Sequence, residues 1–215
     1  MIKGVIFDLD GVLVSTDELH FEAWTKLARE LNIHNYTRED NKLQKGISRL
    51  KSLEIVLGKG NLTYSEKEKQ ELAERKNNYY VQMLDSLDDS AVLKDVKEAL
   101  ELLKIKGIKI GVGSASKNTP IILEKTGLAP EIDAVACGID VTKSKPDPEV
   151  FLIAANKLGL LPKECLVVED SYAGVVAAKA AGMKSLAVGP ERKLLQADYD
   201  SETLISETDW DHMLA

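Results

Sequence analysis

Two hydrophobic rhythms run along the chain. Residues 2–9 are an apolar run broken by Lys3, Gly4 and Asp8, which reads as a strand buried on both faces of a sheet. Residues 16–83 then take up helical spacing with no convincing strand. His20, Trp24, Leu27 and Leu31 recur at intervals of three and four, while Glu22, Lys26 and Arg29 turn elsewhere. Such a stripe requires a partner helix. A second helix is predicted at residues 50–57, after a turn at Lys45-Gly46-Ile47-Ser48-Arg49, and a third opens at Ser65-Glu66-Lys67-Glu68, which has capping-box spacing.

From residue 92 onward helices and strands alternate. Helices are predicted at 96–106, 120–125, 149–158 and 173–181, and each leads into a strand, at 109–113, 134–137, 166–168 and 185–188. This alternation predicts an α/β fold: a doubly wound, Rossmann-like parallel-sheet core, with a small helical cap domain inserted after the first strand. The division expected is residues 1–15 and 88–215 for the catalytic core and 16–87 for the cap, with hinges near residues 15–17 and 86–89. Residues 190–215 are only vaguely patterned, and there is no internal repeat.

The 215 residues can bury a full core. A net charge of −7 and an aromatic share of 5% argue against nucleic acid, which demands clustered cations and stacking rings. Cys137 and Cys165 sit in apolar stretches without metal-ligand spacing and read as buried free thiols of a reducing compartment. The first residues run straight into an acid-bearing strand and no apolar run reaches membrane-spanning length, so the expectation is a cytoplasmic protein, a monomer, with no membrane partner.

Candidate chemistry lies where apolar runs end. Asp8 and Asp10 are two apart, so in extended backbone their carboxylates lean to one side, and Gly11 lets the chain turn away. A solvated Asp-Gly turn is the plainer alternative. Glu169-Asp170 closes another apolar run, where an acidic helix start is the alternative. Two strands ending in paired acids suit a hard cation with a water-rich shell, Mg²⁺ above all. Ser114 follows Gly111-Val112-Gly113, and its hydroxyl and neighbouring N–H groups could hold a phosphoryl oxygen at the start of the next helix. A dinucleotide fingerprint is not completed, since Ser116 stands at the third glycine position. Lys145, before the stiff Pro146-Asp147-Pro148, is a cation for charge on a transferring phosphoryl group. In a parallel sheet these ends meet in one crevice, which is a phosphoryl-transfer site.

The order Asp8-Leu9-Asp10-Gly11, Ser114, Lys145, Glu169-Asp170 resembles the four motifs of the haloacid dehalogenase superfamily, and the helical insertion is similar to its mobile cap. A finer resemblance, to the β-phosphoglucomutase branch, rests on His20, Phe21, Ala23-Trp24, residues 45–49, Arg75-Lys76-Asn77 and Ser114-Ala115-Ser116-Lys117-Asn118. The turn Cys137-Gly138-Ile139-Asp140 and the tail beyond Pro190 depart from it.

The resemblance implies that Asp8 is the nucleophile and Asp10 the general acid and base. It implies Mg²⁺ held by Asp8, the Asp10 backbone carbonyl and Asp170, with Glu169 close by. Ser114 and Lys145 would steady the transferring group, and His20, near the hinge, would help position Asp10. The substrate implied is a small phosphorylated sugar, with glucose 1,6-bisphosphate as intermediate and activator. Its second phosphate would fall to Arg49 with Ser116, Lys117 and Asn118, and Trp24, Lys45, Gly46, Lys76 and Ala115 would complete the sugar site. A sugar-phosphate phosphatase of the same superfamily is the alternative, and a phospho-accepting signalling module a third.

Overall fold

The computed structural model describes residues 1–215. Six parallel strands form one sheet: β1 (Gly4–Phe7), β2 (Lys109–Gly113), β3 (Ala134–Ala136), β4 (Cys165–Glu169), β5 (Lys184–Ala187) and β6 (Tyr199–Asp200). Their order is β3-β2-β1-β4-β5-β6, so the connections reverse direction between β1 and β4. Phe7 pairs with Val112 on one side and Val168 on the other, which brings the chain beyond all three strands to one level.

The central strands β1 and β4 are apolar on both faces because both are covered. Val5, Phe7, Leu166 and Val168 enter a 27-residue cluster on one side, while Ile6, Cys165 and Val167 enter a 14-residue cluster on the other. The first side is closed by α5 (Val96–Ile105) and α6 (Thr119–Lys125), the second by α7 (Glu149–Leu158) and α8 (Tyr172–Ala180). Cys137 and Cys165 are buried and unpaired. No helix is long and apolar enough to cross a membrane.

Between β1 and α5 lie α1 (Asp17–Glu30), α2 (Arg38–Lys42), α3 (Arg49–Lys59) and α4 (Glu66–Met83). Three of them share a core of ten buried residues built on Trp24, Leu27, Leu53, Val56, Leu57 and Leu72, so the stripe on α1 has its partner helices. Ser65 and Glu68 close both halves of the capping box that starts α4. The short α2 was not expected, although Thr37 and Asp40 form the same box. The two connections to the sheet run side by side, with Ser15 donating to the Ala91 carbonyl at 2.8 Å and Leu93 to the Leu13 carbonyl at 3.0 Å.

The weakly patterned tail is structured. It supplies β6, pairing with β5, and α9 (Trp210–Leu214), whose Trp210, Met213 and Leu214 pack into the larger sheet cluster. A two-residue strand and a five-residue helix are too short for periodicity to register.

Candidate phosphoryl-transfer site

Open parallel sheets leave a crevice where the connections reverse direction, beyond the carboxyl ends of the strands. Here that point lies between β1 and β4, and the residues following them are Asp8 and Asp170. Asp8 follows β1, held by its N–H donating to the Val168 carbonyl at 2.9 Å. Gly11 turns with φ +83°, and a Cβ there would collide with the Asp170 carboxylate, so the acid at the end of β4 lies directly against this turn.

Lys145 is the centre of the charge arrangement. Its side chain is fully buried, and Nζ stands 2.6 Å from Asp8 Oδ1 and 2.6 Å from Glu169 Oε1, with the Phe151 ring centroid at 4.6 Å. Burial pulls its ammonium downward, but the charges of Asp8 and Glu169 outweigh burial and hold the pKa above its ordinary value. Glu169 spends its other oxygen locally: Oε2 accepts from Asp170 N, Ser171 N and Ser171 Oγ. Asp170 is the freer acid, and it pairs with Lys45 Nζ at 2.8 Å, which also lies 3.1 Å from Asp17. The loop carrying Lys45 sits so close that a Cβ on Gly46, at φ +72°, would stand 2.6 Å from Ser171 Oγ.

Carboxylate oxygens of Asp8, Glu169 and Asp170 lie within 4.8 Å of one another. Burial raises the Asp8 and Asp170 pKa values well above the ordinary carboxylate range, because two lysines do not balance the acids gathered there. Hard oxygen donors with surplus negative charge fit a divalent cation such as Mg²⁺. The Asp10 carboxylate is not in this group. It is turned to the Thr16 hydroxyl, which donates to Oδ1, and this leaves only its backbone carbonyl for a metal. Burial, partly offset by that hydrogen bond, pushes the Asp10 pKa up to about 7.

A cavity of about 480 Å³ opens above these groups. Asp8, Asp10 and Ser114 line it from the sheet, together with residues 115–118, and His20, Trp24, Lys45, Gly46, Arg49 and Lys76 line it from the helical side. Ser114 is buried at the end of β2, but the expected helix start lies farther on: α6 begins at Thr119, and Ser114 Oγ instead accepts from Ser116 N at 3.1 Å. The intervening loop is tied across the cavity by Asn118 Nδ2, which donates to Asn77 Oδ1 at 2.9 Å. Arg49 is the first residue of α3 and pairs with Glu74 at 3.0 Å. Lys76 Nζ lies 2.8 Å from His20 Nδ1, and burial first, then the Lys76 and Arg49 charges, holds the imidazole neutral. Lys145, Glu169 and Asp170 lie beneath the cavity wall rather than on it.

Thr16 and Asp17, read from the sequence only as part of a hinge, and Glu74 and Tyr80, not singled out at all, are the site residues that reading missed. Position 16 continues the four-residue spacing of His20 and Trp24, and Tyr80 lies four residues after Lys76, so helical spacing from recognised residues was the available signal.

A model of the haloacid dehalogenase-like hydrolase family matches residues 2–182, and the chain belongs to that family. Among its relatives, the β-phosphoglucomutase of Bacillus subtilis is 41% identical over 199 residues, covering 92% of this chain and 88% of the relative. The phosphorylated carbohydrates phosphatase of Thermotoga maritima is 31% identical over 188 residues, covering 86% and 84%. The crystal structure of the Clostridium difficile β-phosphoglucomutase matches with a TM-score of 0.92 at 37% identity, covering 99% of this chain and 96% of that one.

Proposed function

We propose that this chain interconverts β-D-glucose 1-phosphate and D-glucose 6-phosphate through a bound β-glucose 1,6-bisphosphate. The observation that carries this reading is that one cavity presents anion-binding groups from two separate elements: Ser114 beside Asp8 at the sheet, and Arg49 at the start of α3 with the 116–118 loop. A substrate with a phosphate at each end uses both. The nearness of this chain to two β-phosphoglucomutases supports the same reading.

In this proposal Asp8 attacks the phosphorus of the bisphosphate. An acyl-phosphate bond forms on its carboxylate, the bond from phosphorus to the sugar oxygen breaks, and the Asp10 proton goes to that oxygen. The glucose 6-phosphate so formed exchanges with β-glucose 1-phosphate, whose C6 hydroxyl faces Asp8. That hydroxyl loses a proton to Asp10 and takes the phosphoryl group back from Asp8, and the bisphosphate so formed turns end for end before the next transfer. A carboxyl held at about 7 carries a proton in one half-reaction and accepts one in the other near neutrality. Lys145 and Ser114 stabilise charge on the transferring group. Asp8, Asp170 and the Asp10 backbone carbonyl are the proposed holders of Mg²⁺, which supplies charge neutralisation at the phosphoryl oxygens. Glu169, already saturated by Lys145 and three local donors, acts beside that shell.

Residues 16–87 form the proposed cap. Its contacts to the core at Lys45–Asp170 and Asn77–Asn118 cover the cavity, and Trp24, Lys76 and Gly46 shape the sugar site. The test is production of glucose 6-phosphate from β-glucose 1-phosphate with Mg²⁺ and a trace of the bisphosphate, with free phosphate followed in parallel. Isomerisation with little phosphate release is expected. Arg49→Ala should slow it about 10- to 100-fold, the worth of one or more charged hydrogen bonds. Phosphate release without isomerisation would place the chain with the phosphatases.

A further inference from the structure

The phenol of Tyr80 is buried, on α4, and has no part in the mechanism described so far. Its ring stacks on the His20 imidazole with centroids 4.0 Å apart and planes inclined by 22°. Its hydroxyl donates to Thr16 Oγ1 at 3.1 Å, and the Thr16 hydroxyl donates to Asp10 Oδ1. Thr16 is fully buried. Although it precedes α1 as N-cap, its side chain accepts no capping hydrogen bond, so the Oγ1 lone pairs stay open to the phenol proton while its own proton goes to Asp10.

A hydroxyl carries one proton and two lone pairs. With the Tyr80 proton filling a lone pair, the Thr16 proton turns away from the phenol and toward the carboxylate. The direction of this chain follows from the Thr16 proton being committed to the Asp10 carboxylate, which leaves Thr16 Oγ1 an acceptor for the phenol; burial, with the charges of Asp10 and Asp17 adding to it, raises the Tyr80 pKa well above its ordinary value and keeps the phenol protonated. Packing alone would be served by phenylalanine, since the surrounding cluster, with Leu13, Ala23 and Leu84, is apolar.

We propose that Tyr80 is a positioning residue for Asp10: its hydroxyl orients Thr16 toward the Asp10 carboxylate while its ring holds His20 in place. One side chain of α4 thereby registers the helical block against the acid/base group of the core. This rests on Asp10 being the proton donor and acceptor in phosphoryl transfer.

The test uses the full chain with Mg²⁺ and compares two phosphoryl donors in the single-turnover phosphorylation of Asp8. With glucose 1,6-bisphosphate the departing sugar oxygen must receive the Asp10 proton. With p-nitrophenyl phosphate the phenolate leaves without one. Tyr80→Phe keeps the ring and is expected to slow transfer from the bisphosphate about three- to tenfold, while transfer from p-nitrophenyl phosphate stays within about twofold. Equal slowing with both donors, or none with either, would overturn the proposal. A second measurement adds Thr16→Val. Because the phenol acts through the Thr16 hydroxyl, the double variant should be no slower than Thr16→Val alone, and multiplying effects would defeat the assignment. Failure of the mutase reading is separately visible as a wild-type protein whose phosphoryl group passes only to water, and the contrast between donors still reports on Tyr80 in that case.

Discussion

Replacing Lys145 with methionine removes the one cation between two buried carboxylates while keeping most of the side-chain volume. Its ammonium stands 2.6 Å from each of Asp8 and Glu169, and none of its side chain reaches water. Breaking a buried ion pair by deleting one partner costs about 3–5 kcal/mol, because the remaining charge is left without compensation. Glu169 keeps three local donors, so the burden falls on Asp8, whose Oδ1 faces the vacated position. The loss therefore depends on pH, with a definite sign. Burial already holds the Asp8 pKa above its unfolded value, Lys145 draws it partly back, and the variant loses that pull. An acid with a raised folded pKa makes the folded state bind more protons, so stability grows as pH falls through the folded pKa and is lost as pH rises. The gap between wild type and Lys145→Met should be widest at about pH 8 and should narrow toward about pH 5, where protonation of the carboxyl replaces the missing cation. Urea unfolding midpoints without Mg²⁺ at those two pH values measure it. A gap that does not change with pH, or a variant as stable as wild type in alkali, would refute the charge assignment.

Asp8→Asn should abolish both turnover and covalent phosphate on the protein while the thermal midpoint holds or rises, since a buried charge is removed; a mass shift of one phosphate on the variant would defeat the nucleophile role. Added Mg²⁺ should raise the unfolding free energy of wild type by about 2.7 kcal/mol at a hundredfold excess over its dissociation constant. Asp170→Asn should lose most of that gain in differential scanning fluorimetry, and an undiminished shift would remove Asp170 from the metal site. Ser65→Ala should cost about 1 kcal/mol, because the hydroxyl that accepts from Glu68 N and donates to the Glu68 carboxylate is lost while the Ser65 N–H keeps its bond to that carboxylate; an unchanged denaturation midpoint would show that tertiary packing alone starts the helix.

Much of this protein was legible in one dimension. Runs such as Val5-Ile6-Phe7 and Leu166-Val167-Val168 are apolar at every position because the sheet is covered on both faces, and that pattern is independent of what lies next to it. Asp8, Asp10, Ser114, Glu169 and Asp170 could be nominated because the ends of parallel strands converge by geometry alone. The capping box at Ser65 and the stripe through Trp24 and Leu27 are likewise local signals, since periodicity and caps act within a few residues.

Tertiary structure decided the rest, because it concerns which distant groups share one small volume. Nothing within reach of Lys145 in the sequence says that its ammonium is divided between Asp8, 137 residues away, and Glu169. Lys45 meets Asp170 across 125 positions, and Asn77 meets Asn118 across 41. Tyr80 reads as one more apolar helix position until the fold sets its hydroxyl on Thr16, 64 residues earlier. The tail falls between the two cases: β6 and α9 are too short to generate a period, and they exist because β5 offers an edge and the sheet core offers Trp210 a place. Local chemistry sets which elements form and which residues can react. Packing sets the fields those residues feel, because burial and charge pairing depend on neighbours that only the folded chain assembles.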